Sequence, residues 1–185
     1  TVGAAPAALP LPGADRYNRF PMLISVIGGN SAPPELRSIA AAGGRLLARA
    51  GCTVVCGGRW GIMEAVCRGA RAEGGHTIGI LPAADRSDMN PYVEFPIVTG
   101  IGFARNPIVV LTGDAVIAIG GAYGTLSEIA HALTFGVPVV GVRTWRFSTD
   151  GREDERIVRA ETAEAAARLA IEAARARREQ ERTRG

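Results

Sequence analysis

Short apolar segments alternate with longer amphipathic segments along most of the chain. The apolar runs Thr53–Cys56 and Ala115–Ile119 are short and are followed by glycine, as is typical of strands buried in a parallel sheet. Between such runs, apolar residues recur at helical spacing, for example over residues 33–50. This alternation predicts a parallel sheet with helices on both of its faces.

The predicted elements run from residue 22 to near the end of the chain. Strands are expected at residues 22–27, 53–56, 77–81, 97–98, 115–119, 137–142 and 157–158. Helices are expected at residues 33–50, 62–72, 105–111, 125–135 and 163–182, with Thr162 as the cap of the last one. Together they predict one Rossmann-like, three-layer α/β domain over residues 21–185.

Three other segments have a distinct character. Residues 1–20 are rich in alanine and proline and follow neither period, so we predict an extended N-terminal arm. Residues 82–95 are polar and contain proline, and we predict a loop that serves as a lid or specificity segment. Asp150 and Gly151 predict a tight turn before the last strand.

Composition narrows the class of protein. Apolar residues make up 47% of the 185 residues, yet no apolar run approaches the roughly 18 residues of a membrane span. The cysteines Cys52, Cys56 and Cys67 form no disulfide framework and are predicted to be reduced core thiols. With no signal-peptide pattern, these features predict a cytoplasmic protein without membrane contact. The formal net charge of +3 suits an anionic ligand without requiring nucleic acid.

Three predicted strands end in glycine-rich turns that lead into helices. The turns are Gly28-Gly29-Asn30, Gly57-Gly58-Arg59-Trp60-Gly61 and Gly120-Gly121-Ala122-Tyr123-Gly124-Thr125. Glycine lets the backbone approach a ligand closely, and the start of a helix offers free amides to an anion. Because such turns gather at the carboxyl edge of a parallel sheet, they predict binding of one phosphorylated ligand. Glycines that serve only close packing are the alternative.

Two familiar phosphate-binding motifs are missing from these turns. No lysine follows any of them, which argues against a P-loop ATPase. The first turn also lacks the G-x-G-x-x-G pattern, which argues against a standard NAD site.

Arg105 and Glu128 are the candidate catalytic residues, and each has a structural alternative. Thr125 and Glu128 fit a capping box, with Thr125 at the N-cap and Glu128 at the third helical position. The functional alternative directs the Glu128 carboxylate towards a bound sugar. Arg105 follows a glycine-containing segment and can clamp a phosphate or carboxylate, or it can be an ordinary surface arginine.

Neither a metal site nor a nucleic-acid site is predicted. His76 and His131 have no partners at ligand spacing. The arginines near the C-terminus are interleaved with Glu172, Glu179 and Glu181, a pattern typical of a solvated helix face.

Residues 121–128, Gly-Ala-Tyr-Gly-Thr-Leu-Ser-Glu, resemble the P-G-G-x-G-T-x-x-E signature of the LOG family. These proteins are cytokinin-activating nucleoside 5′-monophosphate phosphoribohydrolases. Residues 57–63 are similar to the second glycine loop of that family, and Arg105 lies where the family has its catalytic arginine. The resemblance covers residues 22–160. It implies N-glycosidic hydrolysis by Arg105 and Glu128 without a required cofactor, in a homodimer or larger homo-oligomer with the site near the subunit interface.

Several positions depart from the LOG signature. Gly120 replaces its proline, Ala122 replaces its second glycine, Ser127 precedes its glutamate, and Asn106 replaces the lysine after its arginine. The stretch IGGAYGTLSEIAHAL, residues 119–133, is more similar to a sister group that includes molybdenum cofactor carrier proteins. That similarity implies a carrier that binds a pterin phosphate without turnover. A phosphoribohydrolase and a molybdenum cofactor carrier are therefore both functional hypotheses.

Overall fold

A seven-stranded parallel sheet forms the centre of the computed structural model, which describes residues 20–184 except for the side chain of Arg184. In chain order the strands are β1 (Leu23–Gly28), β2 (Thr53–Cys56), β3 (Thr77–Leu81), β4 (Phe95–Val98), β5 (Ala115–Ile119), β6 (Val139–Val142), β7 (Ser148–Thr149), β8 (Arg152–Glu153) and β9 (Ile157–Arg159). The parallel sheet has the order β4-β3-β2-β1-β5-β6-β9, and β7 pairs with β8 in an antiparallel hairpin.

Helices cover both faces of the sheet. They are α1 (Pro34–Arg49), α2 (Ile62–Ala72), α3 (Asn106–Thr112), α4 (Tyr123–Thr134) and α5 (Ala163–Arg184). Helices α1, α2 and α5 pack on one face, in a cluster that includes Val26. Helices α3 and α4 pack on the other face, around the next residue of the same strand, Ile27. The predicted three-layer α/β fold is confirmed.

The boundaries of several elements differ from the prediction. β4 begins at Phe95, so the predicted loop ends one residue earlier, and β6 begins two residues later than expected, at Val139. A 3-10 helix, Gly102–Arg105, precedes α3. The turn at Asp150 and Gly151 is confirmed, since both have positive φ, but the two short strands that it joins were not predicted.

Some predicted features concern the limits of the domain and the side chains that it buries. The predicted arm, residues 1–20, lies outside the described residues except for Phe20, so the arm and the domain boundary stay predictions. No helix within residues 20–184 is long and apolar enough to cross a membrane. Cys52, Cys56 and Cys67 are buried and free of disulfide bonds.

The sheet grows in opposite directions on either side of the pair β1 and β5. Strands β2, β3 and β4 lie on one side of this pair, and β6 and β9 lie on the other. The paired register of β1 and β5 runs up to Gly28 and Ile119, so both strands end at the same level. In open α/β sheets, ligands bind in the crevice outside the carboxyl ends of the strands at such a reversal. The turns after β1 and β5 border this crevice.

Candidate functional site

The glycine-rich turns after β1, β2 and β5 lie at the carboxyl edge of the parallel sheet. The amide of Ile62 donates to the Gly29 carbonyl oxygen at 3.1 Å, and the amide of Trp60 donates to Oδ1 of Asn30 at 3.1 Å. A methyl group on Gly61 would overlap the Gly29 carbonyl oxygen. Close packing between the first two turns therefore accounts for part of their glycine content.

A buried ion pair joins the two candidate catalytic residues. Nη1 of Arg105 lies 3.1 Å from Oε1 of Glu128, and the two side chains are only 7% and 8% exposed. Arg105 ends the 3-10 helix before α3, and Glu128 lies on α4, which packs against α3. Gly57 makes room for the guanidinium, because a Cβ at this position would clash with Nη2 of Arg105. The surface-arginine alternative is therefore wrong.

The capping-box alternative for Glu128 is also wrong. Helix α4 begins at Tyr123, its N-cap is Ala122, and no side chain caps it. Thr125 thus occupies the third helical position and Glu128 the sixth, too far along the helix to reach the N-cap amide. The helix starts early because the preceding glycines adopt φ values of 53° and 120°, which turn the chain directly into it.

Asn106 and Ser127 extend the ion pair into a polar network. Nη1 of Arg105 also donates to Oδ1 of Asn106, whose Nδ2 donates to Oγ of Ser127 at 2.8 Å. The Ser127 hydroxyl donates to the Gly124 carbonyl oxygen at 2.8 Å. Nε of Arg105 is buried and has no hydrogen-bond partner within the described part of the chain. The guanidinium thus retains an unused donor.

Burial sets the charge state of Glu128. Loss of hydration raises the pKa of its carboxyl group to about 7, and the attraction and hydrogen bond of Arg105 offset this only in part. A carboxyl group that exchanges its proton near neutral pH is suited to acid or base catalysis.

The ion pair borders a cleft of about 210 Å³. The residues that line it are Gly28, Gly29, Asn30, Arg59, Met63, Phe103, Arg105, Asn106, Ala122, Gly124, Thr125 and Glu128. The first amides of α4 have no acceptor within the helix, since its first backbone bond runs from the Leu126 amide to the Ala122 carbonyl. Such helix starts favour anions. The cleft therefore combines free helix-start amides with a carboxylate and a guanidinium.

The family of the chain follows from a match over most of its length. The family model LDcluster4, described as the SLOG cluster4 family, matches residues 21–173. The chain belongs to the SLOG cluster4 family. An uncharacterized protein of Archaeoglobus fulgidus is 42% identical to this SLOG cluster4 chain over 123 residues, which are 66% of this chain and 80% of the relative.

Two further comparisons bear on the chemistry of the site. A cytokinin riboside 5′-monophosphate phosphoribohydrolase of Mycobacterium tuberculosis is 36% identical over 120 residues, which cover 60% of this chain and 64% of that enzyme. The solved structure of the molybdenum cofactor binding protein of Rippkaea orientalis is 33% identical, with a TM-score of 0.74, and the match covers 83% of this chain and 97% of that chain. The similarity to the LOG family and to molybdenum cofactor carriers is confirmed.

Most of the predicted site residues of this SLOG cluster4 protein line the cleft. The exceptions are Gly57, Gly58, Gly61, Gly121 and Tyr123. Tyr123 is 79% exposed, and its ring centroid lies 5.9 Å from that of Trp145. Gly121 lines a neighbouring, larger cleft, which Ala122 also borders. A ligand-binding role for each of these residues stays a prediction.

Arg59 lines the cleft but already has an anionic partner. Its Nε is ion-paired with Asp88, whose carboxylate also accepts a hydrogen bond from Nε1 of Trp60 at 2.8 Å. The Asn90 side chain donates to the carbonyl oxygens of Gly58 and Arg59, at 3.1 and 2.7 Å. These bonds fasten the predicted lid or specificity segment to the second glycine turn, and its functional role stays a prediction.

Met63, Phe103 and Asn106 line the cleft although the sequence did not single them out as ligand-binding residues. Asn106 directly follows Arg105 in the chain, which is a signal that could have identified it. Phe103 is 75% exposed at the cleft, but an aromatic residue in a one-turn 3-10 helix carries no such signal in the sequence. Met63 occupies an apolar position of α2, and nothing in the sequence distinguishes it from the other apolar residues of that helix.

Proposed function

We propose that this protein hydrolyses the N-glycosidic bond of a nucleoside 5′-monophosphate and releases the free base and ribose 5-phosphate. The observation that carries the proposal is the buried Arg105–Glu128 pair, which borders the same cleft as the free amides at the start of α4. The LOG-like residues 121–128 and the similarity to the Mycobacterium tuberculosis phosphoribohydrolase support it.

In this proposal the phosphate of the substrate binds to the start of α4. The amides of Tyr123, Gly124 and Thr125 have no acceptor inside the helix and are available to phosphate oxygens. The turn after β1 and the Arg59 side chain complete the walls of the cleft. This placement holds the ribose beside the Glu128 carboxylate.

The proposed reaction breaks the bond between C1′ and the base nitrogen, and water supplies the new oxygen on C1′. Ionised Glu128 stabilises the positive charge that develops on the sugar, or accepts a proton from the attacking water. The departing base takes up a proton, so one water is consumed for each base released. Arg105 fixes the orientation of the carboxylate through the hydrogen bond that its Nη1 donates to Oε1 of Glu128. None of these steps requires a cofactor.

The direct test is to incubate the purified protein with AMP and to measure adenine and ribose 5-phosphate by chromatography. We expect both products in equal amounts and in many-fold excess over the protein. A matched sample without protein controls for spontaneous hydrolysis. Absence of adenine above that control, for AMP and for the other common nucleoside monophosphates, would contradict the proposal.

A second candidate function is a non-catalytic carrier of molybdenum cofactor, a pterin phosphate. The observation in its favour is structural similarity over nearly a whole protein, because the match spans 97% of the Rippkaea orientalis protein with a TM-score of 0.74. The pterin phosphate would use the same α4 amides, with the cofactor as cargo. No base release, together with a phosphorylated pterin that copurifies with the protein, would favour the carrier.

Two glycines of the site should respond in opposite ways to alanine substitution. Gly57→Ala should destabilise the protein by about 1–3 kcal/mol, because the methyl group would clash with the Arg105 guanidinium. Gly124→Ala should stabilise α4 by up to about 1 kcal/mol, because the nearest atom to its new methyl group is Phe103 Cε1 at 3.8 Å. Gly124→Ala should nevertheless weaken AMP binding, since Gly124 lines the cleft.

Urea unfolding measures the change in stability of both variants. Calorimetric titration with AMP measures the loss of binding expected for Gly124→Ala. Equal unfolding free energies for the two variants would show that Gly57 is not needed to seat Arg105.

We also propose that the protein is a homodimer, as the LOG resemblance implies. Ile108 and Leu111 lie three residues apart on α3 and are 40% and 46% exposed. Phe103, which lines the cleft, precedes them in the chain and is 75% exposed. These exposed apolar residues on and beside α3 support an interaction surface there, and a second copy of the chain is the proposed occupant. The cleft would then lie near the subunit interface.

Sedimentation velocity tests this interface. The wild-type protein should sediment as a dimer, and the double variant Ile108→Glu/Leu111→Glu should sediment as a monomer. Val158→Glu is the matched control, because Val158 is 48% exposed on the edge strand β9. A monomeric wild type, or a double variant that stays dimeric, would contradict this surface.

A further inference from the structure

A second cleft, of about 510 Å³, lies next to the site and has no role in the reaction proposed above. It lies at the carboxyl end of the sheet, between the start of α1, the turn after β5 and the segment after β6. Its polar and aromatic lining includes Ser31, Arg143, Thr144 and Trp145. Ala122 borders both clefts, so a ligand seated on the start of α4 can extend from one into the other.

Arg143, the first residue after β6, has an unusual backbone conformation for this position. Its φ is 47°, in the left-handed region that a side chain with a Cβ rarely adopts. Asp150 is the other non-glycine residue with positive φ in the described residues, and the tight turn of the β7–β8 hairpin accounts for it. Arg143 lies in no such turn. Strain of this kind often accompanies functional sites.

The neighbours of Arg143 hold this conformation in place. The Thr144 hydroxyl donates to the Gly120 carbonyl oxygen at 2.5 Å, which ties the segment to the glycine turn after β5. Nη1 of Arg159 donates to the Trp145 carbonyl oxygen at 2.9 Å. On the other side of Arg143, the Gly120 amide donates to the Val142 carbonyl oxygen at 2.9 Å. The backbone is thus hydrogen-bonded on both sides of Arg143, which lines the cleft.

The charge of Arg143 is only loosely satisfied. Its Nη1 lies 2.6 Å from Oε1 of Glu35, in the first turn of α1, but the two side chains are 49% and 65% exposed. An exposed pair of this kind contributes little stability, and the Glu35 side chain has room to move into solvent. An anion in the cleft can therefore replace Glu35 as the partner of Arg143.

We propose that the larger cleft binds a second phosphate group, held by Arg143, so that the preferred ligand is a nucleotide with a pyrophosphate rather than a monophosphate. The inference rests on the proposed function for the position of the first phosphate, at the start of α4. From there the second phosphate passes Ala122 and reaches Arg143. Trp145 borders whatever group is esterified to that second phosphate.

Calorimetric titration with AMP, ADP and ADP-ribose tests the proposal. The parent protein carries Glu128→Gln, which slows hydrolysis enough to leave the ligand essentially intact during a titration, and EDTA is present to remove divalent cations. We expect ADP to bind about tenfold more tightly than AMP. If ADP-ribose binds more tightly than ADP, the ligand form is a pyrophosphate ester, and the reverse order identifies a free nucleoside diphosphate. Equal affinities for AMP and ADP would overturn the proposal.

Three substitutions in this parent identify the residue responsible. Arg143→Ala should reduce the ratio of ADP to AMP affinity about tenfold, and Glu35→Gln should increase it, since it removes the competing carboxylate. Arg146→Ala is the matched control, because Arg146 lies on the same segment and is ion-paired with Glu153 outside the cleft. A ratio that falls equally in Arg143→Ala and Arg146→Ala, or that falls in Glu35→Gln, would contradict the assignment.

These measurements separate the inference from the proposed reaction. Preferential binding of ADP through Arg143 without any release of adenine from AMP by the wild-type protein would refute the hydrolase and retain the pyrophosphate site. Release of adenine together with equal binding of AMP and ADP would support the hydrolase and refute the pyrophosphate site.

Discussion

Glutamine in place of Glu128 should lower the rate of adenine release from AMP by about 10²–10⁴-fold, the range typical for loss of a positioned acid or base. Glutamine has nearly the same shape and can accept the hydrogen bond that Arg105 donates, but it cannot carry negative charge or take a proton. The fold should therefore persist while the chemistry is lost. The initial rate of adenine release, measured beside thermal unfolding, checks both parts.

The pH dependence of the same reaction gives a sharper result. The pKa of Glu128 is raised to about 7, so its carboxyl group is largely protonated below that pH. Because the proposed role needs the ionised form, kcat/KM for AMP should rise with pH through about 7. Glu128→Gln should lose this rise, whereas Glu153→Gln, an exposed control, should keep it. A rate that is independent of pH between 5 and 9 in the wild type would contradict the role of Glu128.

The buried ion pair should also respond unequally to loss of either partner. Glu128→Leu leaves the Arg105 guanidinium buried without its counter-ion, and arginine cannot shed its charge. We expect a loss of about 3–5 kcal/mol in the free energy of unfolding. Arg105→Met should cost less at low pH, since the remaining Glu128 can become neutral by holding its proton.

The sign of the pH effect follows from the raised pKa of Glu128. The folded protein holds this proton more tightly than the unfolded chain, in which a glutamate has its usual pKa near 4.5. The stabilisation of the folded protein by the Glu128 proton is complete below the usual pKa of 4.5 and is lost as pH rises through about 7. Removal of Arg105 raises the pKa further, so Arg105→Met should lose stability over a wider range.

Urea unfolding at pH 5 and pH 8 measures these differences. The deficit of Arg105→Met relative to wild type should be larger at pH 8 than at pH 5. The deficit of Glu128→Leu should be smaller at pH 8, because the wild type loses the stabilisation from the Glu128 proton over this range and the leucine variant has no such proton to lose. Identical deficits of the two variants at both pH values would contradict this account, in which Glu128 can lose its charge when its partner is removed and Arg105 cannot.

The spacing of apolar residues and the residues at turns predicted the fold, because the preferences of these local segments for strand, helix or turn agree with the packing in the folded protein. Apolar runs such as Ala115–Ile119 are buried on both faces of the sheet, so the pattern identifies them directly. The short hairpin at Asp150 lacks this signal, since its strands are two residues long and exposed. Strand ends were less predictable where proline interrupts the run, as Pro138 does before β6.

The candidate site was only partly predictable because its key contact is tertiary. Arg105 and Glu128 lie 23 positions apart, and the sequence offered a local explanation for each. The capping-box pattern at Thr125 and Glu128 was misleading, since the N-cap lies three residues earlier, at Ala122, and Glu128 is then too far along the helix to reach it. Resemblance to the LOG signature singled out both residues, but only the packing of α3 against α4 shows that they meet.

The hydrogen bond between Asn106 and Ser127 joins two of the positions at which this chain departs from the LOG signature. A lysine introduced at position 106 alone would set a second cation beside Arg105 and remove the Asn106 oxygen that now accepts a hydrogen bond from that guanidinium. The two positions are therefore expected to show epistasis, so that a lysine at position 106 is tolerated only when Ser127 has also changed. Evolution between the two branches, or an engineered conversion of one into the other, would have to exchange them as a unit.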